Sequence, residues 1–215
     1  MTSGKELRER ALRLARQRSD LAETVATDAL ECSVQEQGMM SREAMLCMHL
    51  LGMICRNSAS AEKHARGLAY EVRAADLAMS LSGLSVDERV LIVESAAVAA
   101  QTDRDHALAA RLAADSVELQ RFHVNVVDPD SLGLLVDSLV ATGRSQEALP
   151  LAREWLAATT GTKAFARFQY AQCLLAQAEY EQAAIELRIL RSEVTHVERL
   201  REVAALLDLA ERRGT

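Results

Sequence analysis

The sequence predicts an all-α protein in which antiparallel helix pairs stack on one another. Apolar residues recur every three or four positions along almost all of the 215 residues, which is the period of an amphipathic helix. Only two prolines and nine glycines interrupt this pattern, fewer than the many turns of a β-sandwich or barrel require. Hydrophobic residues make up 49% of the chain and aromatic residues only 3%, so we expect Ala and Leu to fill the core by close packing of helices.

Breaks in the periodic pattern divide the chain into about eleven helices. Ser85–Glu88 and Thr195–Glu198 fit the capping box, in which a hydroxyl and a glutamate satisfy backbone amides at a helix N-terminus. Thr102–Asp105 is a weaker version, and Asp128–Asp130 combines a capping aspartate with proline at the first helical position. Four glycines are expected to end helices: Gly38, Gly83, Gly143 and Gly161. The predicted helices span residues 4–18, 20–37, 41–57, 60–81, 86–101, 103–122, 129–142, 145–159, 163–177, 180–194 and 196–213.

Short loops make consecutive helices antiparallel, so these helices resolve into five pairs and one remaining C-terminal helix. No linker, low-complexity tract or charge run divides the chain, and residues 1–215 are therefore expected to form a single domain. In 196–213 charged residues surround an apolar row, as expected of a helix that caps a stack.

Charge and composition narrow the classes of function. The net charge of −6 comes without a basic stripe, which argues against nucleic-acid binding. No window approaches the roughly 18 consecutive apolar residues of a membrane span, and the N-terminus lacks the apolar core of a signal peptide. The four cysteines form no CxxC motif and are expected to be small buried hydrophobes kept reduced. We therefore expect a cytoplasmic protein that binds neither nucleic acid nor membrane.

Two consecutive stretches resemble the tetratricopeptide repeat, with the clearest units at 129–163 and 164–197. In the first unit the residues with the spacing of that pattern are Leu132, Leu135, Leu139, Gly143 and Ala148. In the second, Ala178 replaces the usual glycine, while Tyr180 and Ala183 occupy the positions of an aromatic and a small packing residue. Ala148 and Ala183 are 35 residues apart, close to the repeat of about 34. Upstream, Ala107 parallels Ala148 with a spacing of 41, and Leu51-Gly52 resembles an earlier unit. Other helix-pair solenoids, such as HEAT-like arrays, remain alternatives.

The resemblance implies a right-handed α-solenoid whose concave groove, lined by the first helix of each pair, binds a peptide or partner helix. It places Phe165 and Phe168 on the groove side of their helix, with Gln169 and Gln172 one turn further on and Asp137 on the preceding unit. An aromatic pair backed by amides could anchor an apolar side chain of a peptide. The alternative is that both rings pack against the neighbouring unit. Some tetratricopeptide proteins bind the C-terminal carboxylates of a chaperone with Lys and Asn residues of the groove. This sequence has neither residue type at the corresponding positions, so such a site is not expected.

The segment 39–55 concentrates methionine, cysteine and one histidine. We interpret it as a core helix, because a helix that is apolar on all sides belongs inside a stack and thioethers fill irregular gaps. A Met-lined binding face and a soft-metal site are the alternatives. The self-association of the chain is open: apolar residues on the first and last helices could close a homodimer, whereas the polar C-terminal helix argues that this end is finished.

No catalytic motif is present: the chain has no HExxH, no Gly-rich phosphate loop and no nucleophile elbow. Asp103, Asp105 and His106 lie close together in the sequence. Acidic residues are expected at a helix N-terminus, so this group does not by itself indicate a catalytic site. We therefore predict a non-catalytic interaction module or scaffold without cofactor or metal, whose partner is a protein or peptide. The alternatives are a bacterial regulatory protein that binds a small effector and a secretion-type chaperone that holds a client.

Overall fold

The computed structural model describes residues 2–17 and 21–214, and all regular secondary structure in those residues is α-helical. In chain order the helices are α1 (Gly4–Arg16), α2 (Leu21–Gln37), α3 (Arg42–Arg56), α4 (Ala61–Ser80), α5 (Val86–Thr102), α6 (His106–His123), α7 (Pro129–Ala141), α8 (Ser145–Ala158), α9 (Ala164–Ala176), α10 (Tyr180–Glu193) and α11 (Val197–Gly214). Each predicted helix is confirmed. Every observed end lies within three residues of the prediction. The predicted end at residue 18 and start at residue 20 lie outside the described residues. Among the described helices, none is long and apolar enough to cross a bilayer.

The chain divides into two compact units. The first unit comprises Met1–Asp105 with Glu118–Val124, and the second comprises His106–Val117 with Asn125–Thr215. In the first unit α1 packs on α2, α2 on α3, α3 on α4 and α4 on α5, and α1 also contacts α3. The second unit repeats this arrangement: α7 packs on α8, α8 on α9, α9 on α10 and α10 on α11, and α7 also contacts α9. Contacts between alternate helices are what a stack of helix pairs requires.

The methionine-rich segment forms the centre of the first unit. Met45, Cys47, Met48 and Cys55 of α3 are all buried, which confirms the interpretation of this helix as core. Met45 and Met48 pack in one apolar cluster with residues of α4 and α5. The two methionines that precede the helix are not buried: Met39 is 41% exposed and Met40 is 60% exposed.

Two glycines bring α3 and α4 into close contact. A Cβ added at Gly67 would lie 3.0 Å from the carbonyl oxygen of Gly52, and one added at Gly52 would lie 2.5 Å from Cγ of Glu71. Glu71 itself is fully buried. Its two carboxylate oxygens lie 2.8 Å from Nδ1 of His49 and 3.3 Å from Oγ of Ser95. The buried carboxylate is thus paired with side chains of both neighbouring helices, as a buried charge must be.

Three turns that follow α5, α7 and α9 share one hydrogen-bonding pattern. In each, a residue with left-handed backbone stands two positions after the helix: Arg104 (φ 62°), Gly143 (φ 75°) and Ala178 (φ 60°). The amide of the next residue donates to a carbonyl five residues earlier, from Asp105 to Ala100 at 2.9 Å and from Glu179 to Leu174 at 2.9 Å. This is the Schellman arrangement that ends a helix. The same backbone turn therefore recurs with three different residue types.

These turns correct the upstream repeat register. Ala148 and Ala183 each stand five residues after the left-handed residue of the turn before them, Gly143 and Ala178. The residue five positions after Arg104 is Ala109, which is fully buried as the other two alanines are. Ala107, which we predicted there, is exposed, so the spacing to Ala148 is 39 rather than 41 residues. The prediction was wrong because the alignment used small residues alone and not the position of the turn.

The N-terminal caps are partly as predicted. Ser85 forms the complete capping box with Glu88, and Asp128 accepts the amide of Asp130 at 2.8 Å. The predicted box at Thr102–Asp105 is wrong, because Thr102 is the last residue of α5 and its hydroxyl donates to the carbonyl of Val98. The prediction that Thr195 caps α11 is also wrong. The helix begins at Val197, and the carbonyl of His196 accepts its first helical hydrogen bond.

Replacing Ala178 by glycine should stabilise the protein. A side chain at a positive φ costs about 1 kcal/mol relative to glycine, so we expect Ala178→Gly to raise the free energy of unfolding by about that amount. Gly143→Ala should lower it by a similar amount, for the same reason. Urea unfolding followed by circular dichroism measures both changes. Ala178→Ser is the control, since it keeps the Cβ and should bring no gain; equal stability of all three variants would contradict the prediction.

The buried thiols should resist modification in the folded protein. Burial raises the pKa of Cys47 and Cys55 above the usual thiol value and that of Cys173 to about 11. At pH 8 the thiol of Cys173 therefore stays almost wholly protonated, and a thiol is much less nucleophilic than a thiolate. With iodoacetamide and peptide mapping by mass spectrometry, we expect the partly exposed Cys32 to react first and Cys173 only after unfolding. Fast alkylation of Cys173 in the native protein would contradict this assignment.

Candidate partner-binding site

The predicted site residues of α9 lie along one face of the helix but differ in accessibility. Phe165, Gln169 and Gln172 are spaced by four and three residues, which places them on the same face. Phe165 is 48% exposed and Gln172 is half-buried, whereas Gln169 is only 5% exposed. A partner can therefore reach this face at Phe165 and at Gln172.

A neighbouring indole holds the ring of Phe165. The rings of Trp155 and Phe165 meet edge to face, with centroids 5.5 Å apart and an interplanar angle of 83°. Trp155 is buried against α7, where a Cβ added at Gly133 would lie 2.6 Å from its Cζ2 atom. The missing side chain at Gly133 makes room for the indole. The indole then fixes an aromatic ring whose other side is open to solvent.

A hydrogen bond ties this face to α7. Nε2 of Gln169 donates to Oδ1 of Asp137 at 2.6 Å. The other amide atom, Oε1 of Gln169, is buried and has no hydrogen-bond donor among the described residues. A buried acceptor without a donor destabilises the folded state, so the packing around Gln169 must offset this cost. This hydrogen bond between two of the predicted site residues thus joins α7 to α9.

Phe168 is part of the packing. The side chain is 5% exposed, and the guanidinium carbon of Arg199 lies 4.7 Å from the centroid of its ring. Arg199 also donates to Glu202 at 2.9 Å. A cation placed over an aromatic face is attracted by the ring quadrupole. For Phe168 the structure therefore agrees with the alternative interpretation, in which the ring packs against the neighbouring repeat, since Arg199 of α11 lies over it.

A buried ion pair behind the face was missed by sequence reasoning. Nη1 of Arg167 lies 2.5 Å from Oε2 of Glu186, and both side chains are almost wholly buried. Nε of Arg167 also lies 3.5 Å from Oε2 of Glu193. The pair joins α9 to α10. The signal in the sequence was an arginine within an otherwise apolar run, AFARFQYA, but its partners lie 19 and 26 residues away and could not be chosen without the structure.

The described residues include no group of three or more His, Cys, Asp or Glu side chains that could hold a metal ion. One cavity of about 450 Å³ lies between the first half of α6 and helices α7 and α8, above the buried Leu135 and Leu139. Two others adjoin each other at α10 and α11. None of the five predicted site residues lines these cavities. The accessible residues of the candidate site are the exposed Phe165 and the half-buried Gln172 and Asp137.

Gly133→Ala should disturb the support of Phe165. The new methyl group would overlap Trp155, so we expect a loss of about 1–3 kcal/mol in the free energy of unfolding. Trp155 is the only tryptophan of the chain, and its fluorescence emission should shift because the indole must move. Gly161→Ala is the matched control, since a Cβ at that position meets open space. Unchanged stability and emission in Gly133→Ala would show that the contact does not hold the indole.

Comparison with known proteins supports the fold and goes no further. No family model matches the chain, and no curated protein matches it. The chain is similar to a crystal structure of nearly identical TPR-like repeats assigned to a kinesin light chain of Podosopora anserina. The TM-score is 0.63 at 14% identity, over 88% of this chain and 93% of that chain. A point variant of the same repeats gives a TM-score of 0.62 at 14% identity, with the same coverage. The protein thus has the fold of tetratricopeptide-like helical repeats.

Proposed function

We propose that this protein is a non-catalytic interaction module that binds a peptide or partner helix through the face of α9 around Phe165. The observation that carries the proposal is an aromatic side chain that is 48% exposed and yet packs edge to face against the buried Trp155. Buried aromatic anchors contribute much of the affinity of protein interfaces. A ring that is already fixed loses little conformational entropy on binding.

The residues beside Phe165 suit a polypeptide partner. Gln172 lies two turns further along the same face and is half-buried, so its amide can both donate to and accept from a peptide backbone. Asp137, also half-buried, supplies an acidic group on the preceding pair. An apolar anchor flanked by polar groups is the usual composition of a specific interface. We propose Phe165, Gln172 and Asp137 as the contacting residues, with Phe168 and Gln169 supporting them from below.

The fold is consistent with this function. Stacked helix pairs present extended surfaces, and repeat proteins use such surfaces for binding. The structures to which the chain is similar are named for their repeats, and that name supplies no partner for this chain. The net charge of −6 disfavours nucleic acid as the partner. The four free cysteines are compatible with a reducing compartment, so we keep the cytoplasm as the proposed location.

The chaperone and effector-binding alternatives have no specific observation in their favour. The chaperone hypothesis came from the methionine-rich segment, whose Met45 and Met48 are used in the core of the first unit. An effector site would be a concave pocket with convergent polar groups. The cavity between α6, α7 and α8 has two arginines at its edge, but Arg144 is engaged with Glu147 and Arg111 with Asp115.

The proposal predicts that Phe165→Ala loses peptide binding while the protein stays folded. We would select peptides on the wild-type protein from a random display library and measure their dissociation constants by fluorescence anisotropy. Loss of a central aromatic anchor costs about 2 kcal/mol or more, so we expect binding to weaken at least about 30-fold. Circular dichroism confirms the fold of each variant.

Phe122→Ala is the matched control, because Phe122 is 85% exposed and lies at the end of α6, away from this face of α9 in the sequence. The control should bind the selected peptides as the wild type does. Equal binding by Phe165→Ala, or failure of the library to yield any peptide specific for the wild type, would reject the α9 face as the binding site.

A further inference from the structure

Helix α1 presents a row of arginines to solvent. Arg10, Arg13 and Arg16 are all exposed and follow one another at a spacing of three residues, so each lies one helical turn from the next. Among the described residues none of the three forms an ion pair, whereas exposed arginines elsewhere, such as Arg42 and Arg188, pair with a glutamate. The arginine row is therefore a set of cations without counter-charges on a chain whose net charge is −6.

The other charged residues of α1 leave its exposed side basic. Arg8 is mostly buried, and its Nε lies 2.5 Å from Oε1 of Glu43 on α3. The carboxylate of Glu6 accepts the amide of the N-cap residue at 2.8 Å, so it serves the start of the helix. Glu9 is the remaining acid of α1, and Lys5 is a further exposed base. Four bases and two acids thus stand on the exposed side of this helix.

The acids of α2, which packs beside α1, do not neutralise the row. Glu23 pairs with two bases of α4, and Glu36 accepts an amide at the start of α1. Asp28 and Glu31 are exposed, and in the described part of the chain neither forms an ion pair with α1. Salt screens exposed charges that are more than about 8 Å apart, so an approaching anion responds mainly to the charges that it touches. The arginine row is thus open to carboxylates from outside the chain.

The rest of α1 narrows the kind of partner. Its apolar side is already used, since Ala11 is fully buried and Leu7 and Leu14 pack against the same core cluster. A helix that binds a bilayer surface inserts its apolar side, which α1 cannot do while it stays in the stack. Binding to a nucleic-acid backbone through about six to ten phosphates needs more bases than the four on this side of α1. The row therefore suits a short acidic stretch of polypeptide.

We propose that the arginine row of α1 binds an acidic segment of a partner protein, whose carboxylates meet Arg10, Arg13 and Arg16. A planar guanidinium group donates two parallel hydrogen bonds to a carboxylate, and clusters of arginine are a recurrent means of recognising acidic motifs. The row extends over about 9 Å of helix, so three carboxylates at a similar spacing complete it. This surface belongs to the first unit, and its partner is separate from the peptide proposed for Phe165.

Binding of a defined acidic peptide tests the proposal. The probe is a fluorescein-labelled, alanine-rich helical peptide with glutamates at every third or fourth position, and the matched peptide carries glutamine at the same positions. Each exposed ion pair contributes modestly, but three act together. We therefore expect fluorescence anisotropy to show at least about tenfold tighter binding of the glutamate peptide, and the difference should shrink at high salt. Equal binding of the two peptides by the wild type would overturn the proposal.

Reversal of the row should remove this preference. In Arg10→Glu/Arg13→Glu/Arg16→Glu we expect the glutamate peptide to bind at least about tenfold more weakly than in the wild type, because three attractive contacts become repulsive. Arg10→Gln/Arg13→Gln/Arg16→Gln is the milder variant if circular dichroism shows that the glutamates disturb the helix, and it should lose the preference without adding repulsion. Wild-type affinity in either folded variant would contradict the assignment.

The matched control is Arg191→Glu/Arg201→Glu/Arg213→Glu. These three arginines are also exposed and form no ion pair among the described residues, but they are spread over α10 and α11. The control changes the net charge equally and should bind the glutamate peptide as the wild type does. An equal loss in the control would show that only the total charge matters and would overturn the proposal.

Two further measurements separate other partners. A single-stranded oligonucleotide that binds through the arginine row more tightly than the glutamate peptide would overturn the proposal in favour of nucleic acid. Self-association of the wild type that the α1 variant abolishes, without binding of the glutamate peptide, would overturn it in favour of a second copy. Phe165→Ala should bind the glutamate peptide normally, so failure at α1 is separable from failure of the proposed function.

Discussion

Close approach of helix backbones is the constraint on which the rest of this structure depends. Aromatic residues form only 3% of the chain, so the core cannot be filled by large rings between distant helices. Instead, Gly52 and Gly67 bring α3 and α4 together, and Ala148 and Ala183 occupy fully buried contact positions in the second unit. Dense packing of small residues leaves few voids and little tolerance for added volume. The indole of Trp155 finds space only because position 133 has no side chain.

Buried charges add pairing specificity to this close packing. Glu71 is paired with His49 and Ser95 on the helices before and after it, and Arg167 is paired with Glu186 on the next helix. A buried ion pair contributes little net stability, because desolvation offsets much of the Coulomb attraction. Leaving one partner alone is strongly unfavourable, however. In a chain of similar Ala- and Leu-rich helices, such pairs favour the correct neighbour over an incorrect one.

A difference between equivalent positions of the repeats marks the α9 surface that we propose for binding. Phe165 stands where the preceding pair has Asp130. The backbone turn before each second helix is the same in these two pairs, down to the hydrogen bond five residues back. Because the fold tolerates either residue at this position, the exposed aromatic side chain is available for recognition. The α9 face that we propose for binding is therefore built on the same scaffold as the preceding pair and differs from it by an exposed aromatic ring.

The sequence by itself determined the fold class, the eleven helices and the cap at Ser85, because apolar period and capping chemistry act within a few residues. It also singled out Phe165, although it could not show that this ring packs against Trp155. Only the tertiary structure decided that Phe168 and Gln169 are buried, that Arg167 faces Glu186, and that the upstream register runs through Ala109. The physical reason is that burial and pairing depend on which helices meet. Which helices meet is decided by contacts between residues far apart in the chain. The helical period of one segment carries no information about those contacts.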